Sequence, residues 1–305
     1  MKVAFAGTPD FATTILHALT SSPHEVGLVI SQPDPRKGRG RKTTPTPVAE
    51  LARQNDLPLE QPARISELSD ELTAFDALVV AAYGQILRQD TLYATRNGAY
   101  NVHASLLPKY RGAAPIERAI MNGESETGIT IMKMDEGLDT GPTALQISVN
   151  IPPEMNAGEL TDLLANTGAK AIVESLNLLE SNSLTLFEQD SSKATYASKL
   201  TDEDMVIRWG RGVREVHDLV RALAPRTGAR TYHPDVQGPI KIWRSRVLET
   251  GTSPSRIGFI RAENGRMVVS CGSGSLEVLE LQIPGGRRIP AREFLLGHPL
   301  EGAFD

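Results

Sequence analysis

The sequence predicts an α/β protein, a doubly wound and mostly parallel sheet followed by a small C-terminal β-barrel. Over the first 180 residues, short and almost continuously apolar runs alternate with stretches of helical periodicity. That is the pattern of βαβ units whose sheet is covered on both faces. Towards the C-terminus the runs are short and glycine turns separate or end them, as in a small barrel. At 305 residues the chain has room for about two domains of roughly 150 residues each.

Residues 3–6 form the first strand, and Gly7-Thr8-Pro9-Asp10 turns the chain. Phe11, Ile15, Leu16 and Leu19 recur at helical spacing until Ser21-Ser22-Pro23 stops that helix. A second strand spans 26–30. A helix follows at 49–55, with Pro47 near its first turn. Further strands are expected at 77–82, 99–102 and 129–134, and 144–149 pairs with the last of these. Leu160, Leu163, Leu164, Ala171, Ile172 and Leu179 trace one face of a long helix over 158–180. Residues 189–206 are polar and lack a clean period, which fits a linker. The expected domains are therefore 1–188 and 207–305, joined by 189–206. In the second, Val213, Val216, Leu219, Val220 and Leu223 share a helix face, and strands are expected at 240–243, 257–260, 267–270 and 276–281.

Composition narrows the function. Hydrophobic residues make up 40% and charged residues 23%, which excludes a disordered chain. No apolar run approaches the roughly 18 residues that span a membrane. The first seven residues are too short an apolar segment for a signal peptide and read as a first strand and its turn, and the lone cysteine makes a cytoplasmic protein away from membranes the expectation. The single cysteine, Cys271, excludes an internal disulfide framework and a cysteine-based zinc site. The six histidines show no ligand spacing, so no metal is expected. A net charge of −5 excludes a generic polyanion binder. The charge is uneven, however, with 17 basic and 24 acidic residues in 1–200 against 15 and 13 in 201–305.

Three segments carry chemistry. Asn101 and His103 lie two apart at the end of an expected strand, so they face the same way. Ligands bind at such strand ends in open α/β sheets. Ser105-Leu106-Leu107-Pro108 must then leave the sheet, because proline has no donor for a central ladder. By spacing alone, His103 reads equally as a satisfied histidine in a strand-end turn. The second segment, 134–142, is dense in turn residues and contains Asp139. Asp139 could cap its own loop, or it could orient His103 and favour its charged form. Asn, His and Asp together fit acyl transfer without a covalent enzyme intermediate, the asparagine donating to a developing oxyanion. The third segment places five basic residues within 36–42, in an otherwise acidic domain. It is either a solvated loop or a contact for polyphosphate or nucleic acid. The first turn has only Gly7 and no G-x-G-x-x-G, which argues against a nicotinamide dehydrogenase.

In combination, NVHASLLPKYRGAAPI at 101–116 and GITIMKMDEGLDTGP at 128–142 resemble the hallmark segments of folate-dependent formyltransferases. The opening 2–12, the basic loop at 31–42, the stretch at 193–200 and the closing 285–297 look like the branch of that family that formylates methionyl-tRNA. The resemblance implies a Rossmann-like formyltransferase domain, a linker and an OB-like C-terminal barrel that binds tRNA. It implies 10-formyltetrahydrofolate as co-substrate, initiator methionyl-tRNA as partner and acceptor, and no metal. We expect a monomer. Matched residue by residue, it implies catalytic roles for Asn101, His103 and Asp139. It implies folate contacts for Ser105, Leu106, Leu107 and Pro108. It assigns acceptor-stem recognition to Arg39, with Arg41 and Lys42 expected on phosphates. Tyr83 to Leu87 align with a segment lining the pterin pocket. Two departures stand out: Ile207-Arg208-Trp209 where the family has Ile-Asp-Trp, and Arg226-Thr227-Gly228 where many members have Trp-Pro-Gly. The closest alternative is a formyltransferase acting on a small-molecule amine, such as a nucleotide-linked amino sugar. A non-catalytic tRNA-binding protein is the alternative from another class.

Overall fold

A computed structural model describes residues 1–37, 42–251, 256–297 and 300–305. Its residues group into two compact units. The first comprises 1–112, 126–150 and 161–197. The second comprises 113–125, 151–160 and 198–305.

The first unit is built on a seven-stranded sheet. Its strands are β1 (Lys2–Gly7), β2 (Glu25–Ile30), β3 (Leu59–Glu60), β4 (Ala77–Ala81), β5 (Ala99–His103), β6 (Glu126–Lys133) and β7 (Thr143–Asn150), in the order β7-β6-β5-β4-β1-β2-β3. Strand β6 is antiparallel to both its neighbours, β5 and β7, and the pairs along β5-β4-β1-β2-β3 are all parallel. The central β4, Ala-Leu-Val-Val-Ala, is buried at every residue, as a strand covered on both faces must be. The edge strand β7 alternates between half-buried and exposed along its second half. Helix α1 (Asp10–Thr20) buries Phe11, Ile15, Leu16 and Leu19. Helix α2 (Pro47–Gln54) starts where Thr46 accepts the Ala49 N–H at 3.2 Å, with Pro47 at its first position. Successive connections reverse direction between β1 and β4. The crevice at their carboxyl ends is the topological switch point of an open α/β sheet. There Thr8 Oγ1 donates to the Tyr83 carbonyl at 2.8 Å.

The second unit contains helix α3 (Pro115–Met121), and helix α4 (Ala157–Glu180) begins in it before continuing in the first unit. Helix α5 (Val213–Leu223) packs on β9 within this unit. An antiparallel sheet joins β8 (Ala229–His233), β9 (Val236–Glu249), β10 (Ile260–Glu263), β11 (Arg266–Ser270) and β12 (Ser275–Gln282) in the order β8-β9-β12-β11-β10, consistent with a small barrel. The core gathers Trp209, Val213, Val216, Ile240, Ile242, Met267, Val278 and Phe294.

Three details correct the sequence reading. The strand expected at 257–260 begins only at Ile260, because Gly258 turns the chain at φ +72°. A Cβ there would come 2.4 Å from the Phe304 carbonyl. Strand β9 runs for 14 residues, well beyond 240–243. Strand β8 and helix α6 (Ala291–Gly297) were not anticipated. Arg226-Thr227-Gly228 still makes a helix-ending turn: the Thr227 and Gly228 N–H groups both donate to the Leu223 carbonyl, and Gly228 has φ +74°.

Candidate active site

Strand β5 ends at the site. Asn101 stands opposite Met132 of β6, and His103 opposite Thr130. His103 is 5% exposed. Its Nε2–H donates to the Tyr110 carbonyl at 3.0 Å, since a carbonyl can only accept. Nδ1 lies 3.7 Å from Asp139 Oδ2, an oxygen that also accepts the Gly112 N–H at 2.8 Å. The structure thus brings His103 and Asp139 together. Asn101 shares the strand face with His103. It is half-buried, and no described residue hydrogen-bonds its carboxamide.

The loop after β5 is held from β6 and β7. Thr130 Oγ1 donates to the Ser105 carbonyl at 2.7 Å and accepts the Leu107 N–H at 3.1 Å. Gln146 Nε2 donates to the Leu107 carbonyl at 2.7 Å. Ser105 is buried and its hydroxyl donates to the Lys109 carbonyl at 2.6 Å, so it closes the loop. Leu107 is buried and precedes a cis bond to Pro108. Of the four residues expected on folate, Leu106 and Pro108 keep partly exposed surface.

Tyr83 follows β4, and its backbone carbonyl sits at the switch point. Its side chain is buried, its hydroxyl has no hydrogen-bond partner among the described residues, and burial pushes its pKa up to about 12. Gln85 accepts the Ile65 N–H at 2.9 Å and, with Arg64, Ser66, Ile86 and Arg88, lines a cleft of about 450 Å³. Another cleft, of about 530 Å³, lies between α1 and α4 and includes none of Asn101, His103 or Asp139.

Sequence reasoning missed two features that hold this geometry. Tyr110 and Asp139 both adopt left-handed backbone, at φ 59° and 52°. Each such residue costs about 1–2 kcal/mol and persists only where its surroundings fix it. The second feature is Gln189, within the expected linker. Its Nε2 donates to the carbonyls of Asp139 (2.9 Å) and Gly141 (2.7 Å). Its Oε1 accepts from Nε and Nη2 of the buried Arg111, at 3.1 and 2.7 Å. Arg39 and Arg41 lie outside the described residues, as does the side chain of Lys42. Lys42–Thr43 pairs antiparallel with Arg36–Lys37. Among the described residues no group of His, Cys, Asp and Glu could hold a metal ion, and no helix is long and apolar enough to cross a membrane.

The formyl transferase family pattern matches residues 1–176, and the formyl transferase C-terminal domain pattern matches 199–299. The methionyl-tRNA formyltransferase of Rubrobacter xylanophilus is 63% identical over 304 residues, covering 100% of this chain and 99% of its own. The chain belongs to the methionyl-tRNA formyltransferase family. A second member, from Syntrophomonas wolfei, is 42% identical over 98% of this chain and 96% of its own. Solved structures share the fold at low identity. The N-formyltransferase from Helicobacter canadensis, in complex with folinic acid and dTDP-3-aminofucose, superposes with a TM-score of 0.70 at 19% identity, over 91% of this chain and 98% of its own. Glycinamide ribonucleotide transformylase 1 from Symbiobacterium toebii covers 62% of this chain and 94% of its own, with a TM-score of 0.52 at 22% identity.

Proposed function

We propose that this methionyl-tRNA formyltransferase family member moves the formyl group of 10-formyltetrahydrofolate to the amino group of initiator methionyl-tRNA by direct attack of the amine. The observation that carries the reading is the uncommitted carboxamide of Asn101 on the same strand face as the His103–Asp139 pair. A half-buried amide that makes no hydrogen bond to the described residues is available to a carbonyl oxygen on which negative charge develops. The donor supplies an electrophilic formyl carbon on N10. With its proton held on Nε2 by Tyr110, His103 leaves Nδ1 to take a proton from the attacking amine, directly or through water. Asp139, 3.7 Å away, attracts the positive charge that the ring then carries. The proton returns to N10 as the carbon–nitrogen bond to the donor breaks. Leu106 and Pro108 offer apolar surface to the folate, and Arg39, Arg41 and Lys42 grip the acceptor stem.

The test offers radiolabelled formyl donor with methionyl-tRNA, glycinamide ribonucleotide and a nucleotide-linked amino sugar in parallel. Label should appear on methionyl-tRNA at the greatest kcat/KM. Label confined to a small-molecule amine would overturn the acceptor, and tRNA binding without any transfer would overturn the chemistry.

A further inference from the structure

The sequence reads as a linker from 189, yet the chain from 187 to 197 runs against both loops of the proposed active site. At one end Phe187 and Thr143 exchange two backbone hydrogen bonds at 2.8 Å. At the other, Tyr196 and Ala197 pair in parallel with Arg111 and Gly112. The fit is close, because a Cβ on Gly112 would come 2.8 Å from the Ala197 carbonyl. Between these ends, Thr195 accepts the Tyr110 N–H on its hydroxyl at 2.9 Å and the Arg111 N–H on its carbonyl at 2.9 Å.

Gln189 connects the two loops through one carboxamide. Its NH₂ donates both protons to the loop that carries Asp139, and its oxygen accepts from the loop that carries Tyr110 and Gly112. Those two loops hold the His103–Asp139 pair from either side, Tyr110 through its carbonyl to the ring and Gly112 through its N–H to the carboxylate. The buried Arg111 has no carboxylate within ion-pair distance among the described residues. Its guanidinium is satisfied by the neutral Gln189 and, at 3.5 Å, by Ser191. The side chain at 189 must therefore accept from a cation on one side and donate to two carbonyls on the other. Among the uncharged side chains of this length glutamine alone does both.

We infer that Gln189 is a positioning residue, whose carboxamide locks the Asp139 loop to the Tyr110–Gly112 loop and so fixes Asp139 against His103. This rests on the formyl-transfer reading above. It gives the segment leading into the second unit a catalytic consequence.

The experiment compares wild type with Gln189→Ala, Gln189→Glu and Lys193→Ala, an exposed residue on the same segment. In single-turnover formyl transfer to methionyl-tRNA, Gln189→Ala should lose about 100-fold in rate, the scale of a misplaced catalytic group, while the affinities for both substrates stay within about threefold. Gln189→Glu keeps the size and the acceptor for Arg111 but turns a carboxylate towards two carbonyls. Its rate should fall comparably, without loss of thermal stability. Lys193→Ala should match wild type. Hydrogen exchange of the substrate-free proteins supplies a readout independent of turnover. Protection at 110–112 and 139–141 should fall in both Gln189 variants, with β1 and β4 unchanged. A wild-type rate for Gln189→Glu, or unchanged protection in those two stretches, would overturn the inference. So would equal losses of rate and of both affinities. An inactive wild type would sink the transfer reading instead, leaving the exchange result to judge Gln189.

Discussion

Replacing Asp139 by Asn isolates the charge that faces His103. Asparagine has nearly the same size, tolerates the left-handed backbone at this position, and keeps an oxygen that can accept the Gly112 N–H. What it removes is one negative charge, 3.7 Å from Nδ1. A unit pair at that distance interacts by about 1 kcal/mol in bulk water and about 4.5 kcal/mol at an effective dielectric of 20. The two side chains are only 6% and 13% exposed, which places the site towards the upper figure. Taking about 2–4.5 kcal/mol as the lost stabilisation of the charged ring gives a rate reduction of about 30- to 2,000-fold. The range overlaps that of acid–base assistance. The assay is single-turnover formyl transfer, with the thermal melt and folate affinity as controls. Asp139→Ala removes the Gly112 anchor as well, so it should lose more, and the difference between the two variants measures that anchor. A rate within about threefold of wild type in a folded Asp139→Asn protein would refute the electrostatic role and leave Asp139 as a loop cap.

Asn101→Ala should cost about 2.7–4 kcal/mol in the transfer step with substrate affinities retained, and a normal rate would remove Asn101 from the mechanism. Replacing Lys42 by Ala should lower the salt slope of tRNA binding by about 1, and Arg39→Ala should reduce kcat/KM for methionyl-tRNA while leaving folate affinity unchanged; equal losses for both substrates would show that this loop is only a solvated surface. Cys271 is fully buried and burial pushes its thiol up to about 12, so Cys271→Ser should keep activity within a few-fold, and a trapped formyl-cysteine would contradict direct transfer. Tyr83 and Cys271 both hold their protons more tightly folded than unfolded. Stability should therefore fall as pH rises from about 9 towards 12, and Tyr83→Phe should flatten that decline in a pH series of thermal melts.

How much was legible follows from where each residue points. Strand β4 could be read directly, because burial on both faces leaves an unbroken apolar run. Helix α5 showed its apolar stripe through Val213, Val216 and Val220. Strand β8, Ala-Arg-Thr-Tyr-His, was missed because it hides polar side chains: Thr231 is buried and accepts from Trp209 Nε1, and His233 bonds the Glu301 carbonyl. Its hydrogen-bonded interior looks like loop in sequence. The antiparallel sense of β6 was equally invisible, since a strand buried in the middle of the sheet has the same apolar run in either direction.

The candidate site divides along the same line. Asn101, His103 and Asp139 are types whose chemistry can be named from the side chain alone, and two of them sit at a strand's period. The groups that hold them act through the backbone. The Tyr110 carbonyl that seats His103 and the Gly112 N–H that seats Asp139 could belong to almost any residue, so no pattern announces them. Gln189 is a side chain, but two of its three partners on the active-site loops are backbone carbonyls, and the third is a buried guanidinium far away in sequence. A polar, aperiodic stretch was thus read as a spacer when its hydrogen bonds are spent on the two loops beside it. The acceptor, by contrast, is not written in the fold. The N-formyltransferase bound to dTDP-3-aminofucose and the glycinamide ribonucleotide transformylase reach TM-scores of 0.70 and 0.52 at 19% and 22% identity, so shared architecture leaves the amine open. In the proposed reading the acceptor is set by segments such as 36–42, which the loop variants test separately from the parallel-acceptor assay.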